Sequence, residues 1–83
     1  RKQMNTTLKE MRAGESGTVT GYMKGTSAYR EKLLAMGLTR GIQFTVERIA
    51  PMGDPVEIQV RGFALTLRKN EASALLVERG TKL

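Results

Sequence analysis

Side chains able to do chemistry are few in this chain, and the missing ones say as much as those present. There is no histidine and no cysteine; the reactive set is eight Asp and Glu, fourteen Lys and Arg, five Met and two Tyr in 83 residues. Without imidazole or thiol there is no Ser-His-Asp relay, no thiolate nucleophile and no Cys/His zinc site. A phosphate-cradling G-x-x-x-x-G-K-[ST] loop is also absent; the nearest stretch, Gly21 to Thr26, lacks the Lys-Ser end. Gly14, Gly17 and Gly21 make no dinucleotide fingerprint, because no strand precedes them and no helix follows directly. Paired carboxylates can still perform acid–base work. Here the acids fall mostly on outward strand positions or turns, and a domain this small has little room for a pocket where reacting groups converge. An enzyme is therefore not expected.

Binding chemistry remains. Asp54, Glu57 and Glu15 offer oxygen donors to a hard cation, and the methionines offer soft sulfur, which suits Cu(I) better than Fe(II). Asp54 before Pro55 reads first as a turn residue, and the dispersed methionines read as core filler. The net charge of +6 favours acidic partners. Only Arg1-Lys2 and Arg68-Lys69 are adjacent, so no basic run marks a nucleic-acid tail. Small basic barrels do bind single strands by stacking bases on exposed aromatics. With Phe44 and Phe63 at inward positions, only Tyr22 and Tyr29 are left as platforms, and no specific nucleic acid is expected.

The elements that position these residues follow from hydrophobic period. Eighty-three residues support one core, and the lack of cysteine points to a reducing, cytoplasmic setting. No apolar run reaches the roughly 18 residues of a membrane span. Thr18 to Met23 reads as a strand with Val19 and Met23 on its inner face. Ile42, Phe44 and Val46, then Val56, Ile58 and Val60, then Phe63, Leu65 and Leu67 give three more, the last two a hairpin about Arg61-Gly62. Asn70 caps a single turn, Glu71 to Ala74, before a last strand from Leu75 to Glu78. Leu8 and Met11, three apart, tuck one turn against the body, and residues 1–7 and 80–83 are expected to be frayed ends. Five strands and one inserted helix predict a mainly β domain, a small bent barrel whose closure removes exposed edges.

The inserted helix lies in Tyr29 to Gly41. Tyr29, Leu33 and Met36 form its inward stripe, Ser27 caps its start, and Gly37 follows the last periodic residue as a left-handed cap. Leu34 lies about 100° off that stripe. A surplus apolar residue on a basic helix is the feature that suggests a protein-docking face.

This stretch also carries a resemblance. Leu33-x-x-Met36-Gly37-Leu38-x-x-Gly41 resembles the R-L-x-x-M-G-L-x-x-G block of the FeoA family. In matching order follow Ala50-Pro51-x-Gly53-Asp54-Pro55, Val56-x-Ile58-x-Val60-x-Gly62 and Leu65-x-Leu67-Arg68-x-x-Glu71-Ala72. Lys32 stands where the family often has Arg, keeping the charge but losing the planar fork. The resemblance implies an SH3-like barrel and a small cytoplasmic accessory of bacterial ferrous-iron uptake that works with the FeoB-type GTPase-permease. It implies no required cofactor beyond weak binding of a divalent metal such as iron, and no insertion into the membrane. Tyr29, Arg30, Lys32, Leu33, Leu34 and Arg40 are the expected partner-binding residues, with the cations giving orientation and on-rate. Two alternatives stand beside this reading: the C-terminal SH3-like domain of a DtxR-type metal-dependent repressor, and a basic nucleic-acid-binding barrel.

Overall fold

A computed structural model describes residues 5–25 and 27–80. Six strands and two helices follow one another as β1 (Asn5–Thr7), β2 (Ser16–Tyr22), α1 (Ser27–Ala35), β3 (Gln43–Ile49), β4 (Val56–Val60), β5 (Phe63–Leu67), α2 (Lys69–Ala74) and β6 (Leu75–Arg79). Single 3-10 turns at Leu8–Glu10 and Pro51–Gly53 complete the chain. All pairings are antiparallel, in the order β1-β6-β2-β3-β4-β5. The architecture is the expected mainly β one, with a strand more than expected. Asn5 to Thr7, expected to fray, pair with Glu78 to Leu76; the expectation for residues 1–4 and 81–83 lies outside the described residues.

The sheet bends but does not close by hydrogen bonding: among the described residues, β1 and β5 are its two free edges. Closure fails because α2 joins β5 to β6 and packs on β1, β5, β6 and the Leu8–Glu10 turn. Side chains therefore seal the seam where a ladder would otherwise run. Leu8, Met11, Ala72 and Ala74 from these pieces join Val19, Phe44, Val46, Val56, Ile58, Val60, Leu67, Leu75 and Val77 in one core. The predicted inner strand set is buried or half-buried except for Met23 and Phe63, which are exposed.

A bulge explains Met23. In the ladder between β2 and β6, Val19 opposes Val77 but Gly21 opposes Leu76, so Thr20 is an extra residue. One extra residue inverts the alternation beyond it. Tyr22, opposite Leu75, takes the inner face, and its hydroxyl donates to the Leu38 carbonyl at 2.7 Å. Met23 is displaced outward. Phe63 is exposed for a different reason. It is the first residue of an edge strand, beyond a two-residue turn in which Arg61 and Gly62 both have positive φ. Its ring lies against Gly37 at the end of α1, 3.7 Å from where a Cβ on that glycine would sit.

Gly17 marks the tightest crossing. A Cβ there would stand 2.8 Å from the Glu78 carbonyl oxygen and 3.1 Å from the Phe44 ring. The missing side chain lets β2 lie against β6 and the core at once.

Candidate partner-docking site

Helix α1 ends in a Schellman motif. Gly37 has φ +95°, its N–H donates to the Leu34 carbonyl at 3.0 Å, and the Leu38 N–H donates to the Leu33 carbonyl at 3.0 Å. These bonds satisfy carbonyls that the helix end would leave orphaned, and they fold Leu38 back beside Leu33. Both leucines are fully buried and anchor the segment in the core. Ser27 lies within α1, and the residue before it is outside the described residues.

The inward stripe holds in part. Leu33 is buried and Met36 half-buried, but Tyr29 is exposed. Leu33 cannot serve as a docking residue, because with no exposed surface it can touch no partner. Leu34, the surplus apolar residue, is 40% exposed, and Phe63 is 42% exposed. Gly37 borders both in the backbone: its N–H donates to the Leu34 carbonyl, and a Cβ on it would stand 3.7 Å from the Phe63 ring. The sequence pattern placed Phe63 inside, so it was missed as a surface residue. The signal that finds it is its position next to a two-residue turn on the outer strand.

The remaining predicted residues divide between two sides of α1. Tyr29 faces α2 in a polar pocket of about 370 Å³ that includes Asp54, Arg68 and Glu71. Lys32 points the same way and forms an ion pair with Glu71. Arg30 and Arg40 lie instead beside Tyr22 at the end of β2. The Arg30 guanidinium stands 5.9 Å from the centroid of the Tyr22 ring, within cation–π range.

Glu71 is the only buried charged group among the described residues. Burial alone pushes its carboxyl up. The hydrogen bond from Lys32, the hydrogen bond from the Arg68 backbone N–H at 2.8 Å and the positive charges of Lys32 and Arg68 outweigh that, and its pKa lies below the ordinary value of 4.5. The pair thus bolts α1 to α2. Nearby, Asp54 forms an ion pair with Arg68, whose Nε stands 3.1 Å away, and accepts hydrogen bonds from Arg68 Nη2 at 3.3 Å and the Lys69 backbone N–H at 3.1 Å. This ties the Pro51–Pro55 loop, whose Asp54-Pro55 peptide is cis, to the start of α2.

The candidate metal donors do not converge. Asp54 is engaged by Arg68, Glu57 lies 3.7 Å from Arg48, and Glu15 lies 3.7 Å from Arg79 while accepting from the Arg12 backbone N–H. No group of three or more Asp and Glu gathers among the described residues. No described helix is long and apolar enough to cross a membrane. The geometry offers two exposed apolar side chains, Leu34 on α1 and Phe63 beside its C-terminal glycine, and exposed apolar surface is what a partner protein can use.

Known proteins resemble this chain over most of its length. A curated relative, an Fe(2+) transport protein A/Fe(2+) transporter FeoB fusion protein of Porphyromonas gingivalis, is 30% identical over 71 residues, which are 86% of this chain and 8% of that protein. The chain therefore spans under a tenth of that relative's length. The solution structure of a FeoA-like protein from Clostridium acetobutylicum superposes with TM-score 0.83 at 35% identity, covering 95% of this chain and 91% of the other. A zinc-complexed FeoA of Stenotrophomonas maltophilia, described as a procaryotic SH3 domain protein, matches with TM-score 0.73 at 25% identity over 87% of this chain and 88% of the other. The FeoA domain model matches residues 6–79. With nearly the whole chain matched, and with helix, glycines and open SH3-like sheet in their expected order, this chain belongs to the FeoA family.

Proposed function

We propose that this chain is an accessory of bacterial ferrous-iron uptake that docks on a FeoB-type GTPase-permease at its cytoplasmic side and modulates it. The supporting observation is the joining of a related domain to FeoB in one polypeptide in the Porphyromonas gingivalis relative. Two sequences that function side by side are often found fused, and a fused pair has high effective concentration for the same contact. The docking surface in this reading is Leu34 with Phe63, and the cations around α1 supply orientation and on-rate. Iron is the cargo of the partner, and no resident cofactor is part of the proposal.

Isothermal titration of the chain into the cytoplasmic GTP-binding portion of a FeoB-type permease tests this. Burying the remaining 40% of Leu34 is worth about 1 kcal/mol, and a carboxylate set into that contact adds a desolvation cost, together roughly tenfold in Kd. Leu34→Asp should therefore weaken association by tenfold or more while leaving the fold intact. Undiminished binding of that variant refutes the assigned surface. Absence of binding by the unaltered chain refutes the partner.

A further inference from the structure

Beside α1 lies a second concavity, of about 250 Å³, lined by Tyr22, Lys24, Ser27, Arg30 and Arg40 among others. Its cations come from three separate segments: Lys24 from the turn after β2, Arg30 from α1, and Arg40 from the loop before β3. No Asp or Glu lines it. The four ion pairs among the described residues use Lys32, Arg48, Arg68 and Arg79, so none of these three cations has a carboxylate partner there. The pocket near Tyr29 is the opposite case, since its acids are already matched by Arg68 and Lys32.

One guanidinium rests on an aromatic ring, and the other lies over bare backbone. Arg30 rests on the Tyr22 ring at 5.9 Å, and that ring is fixed by its hydroxyl bond to Leu38. Arg40 lies over Gly21, with Nε and Nη2 each 3.9 Å from where a Cβ would project. Two arginines beside the end of one strand, with a lysine near them, present planar forks to a ligand. The forks match carboxylates. Base stacking is disfavoured, because one face of Tyr22 is covered by Arg30 and its hydroxyl is engaged. The forks match phosphate as well as carboxylate, and the partner reading above favours the carboxylates of a protein segment.

We propose that this groove receives an acidic segment of the partner protein, with successive carboxylates on Arg40, Arg30 and Lys24. The proposal rests on the partner reading above and names the chemistry of the partner's docking segment. It separates two contributions around α1: apolar contact at Leu34 and Phe63, and charge recognition at the groove.

The test uses the purified chain and a fluorescein-labelled peptide of alternating glutamate and leucine, read by anisotropy and by amide chemical shifts. The expected result is saturable binding that weakens as salt rises, with shifts centred on Tyr22, Arg30 and Arg40. Arg30→Gln/Arg40→Gln should weaken it about tenfold, and Arg48→Gln, which removes a cation outside the groove, should leave it unchanged. A lysine–leucine peptide should not bind. Equal peptide affinity of the arginine variant overturns the proposal, as does displacement of the peptide by millimolar inorganic phosphate or tighter binding of oligothymidylate. If peptide binding fails while Leu34→Asp still weakens association with the permease domain, only the groove assignment falls. If the permease domain never binds, the partner reading falls instead.

Discussion

Replacing Lys32 by methionine removes the charge that holds Glu71 and keeps the aliphatic stem. Glu71 is then left buried with the Arg68 N–H as its remaining close donor. A charge-assisted hydrogen bond of this kind is worth about 1.5–3 kcal/mol. Lys32 is 58% exposed, so solvent screens its half of the pair, and the expected loss is discounted to about 1–2 kcal/mol at pH 7. For a domain of this size that lowers Tm by about 5–12 °C. The pH dependence carries the stronger test. Glu71 is depressed in the folded state, so its contribution is fully present above its ordinary value of 4.5 and is lost as pH falls through the lower folded value. The gap between Lys32→Met and the unaltered chain should therefore be largest at neutral pH and close toward pH 3. Urea unfolding followed by circular dichroism across that range measures it. A gap that stays constant with pH, or no gap at pH 7, refutes the claim that this pair bolts α1 to α2.

Other substitutions probe the backbone. Gly17→Ala places a methyl 2.8 Å from a main-chain carbonyl that cannot yield, and should cost about 2–3 kcal/mol in chemical denaturation. Gly37→Ala meets no hard contact, but it forces φ +95° on an L-residue; a loss of about 1–2 kcal/mol is expected, largely recovered by Gly37→Asn. The Thr20 hydroxyl, carried on the bulge, is buried with no hydrogen-bond partner among the described residues. Thr20→Val should raise stability by about 1 kcal/mol, read as a higher urea midpoint.

Strand positions were legible because alternation is a local signal, and Val56, Ile58 and Val60 show it plainly. The Gly37 cap was legible because only glycine adopts that conformation without strain. The bulge at Thr20 was not, since it is a property of pairing between β2 and β6 and leaves no mark on either strand alone; it moved Tyr22 inside and Met23 out. Leu38 escaped because its burial depends on the Schellman turn rather than on any period. Phe63 escaped because alternation assigns a face but not the point where the sheet ends. The burial of Glu71 depends on Lys32, far away in sequence, and spacing cannot reveal a partner of that kind. The family blocks gave a domain and a transport setting; which side chains reach the surface required the fold.

The central claim is that the end of α1 is a docking surface for the ferrous-iron permease. Ferrous-iron uptake in cells that depend on this chain, supplied either unaltered or as Leu34→Asp, tests it most directly, once amide spectra confirm that both are folded. The account predicts that uptake with Leu34→Asp falls to the level of cells lacking the chain. Uptake equal to that of the unaltered chain would contradict it.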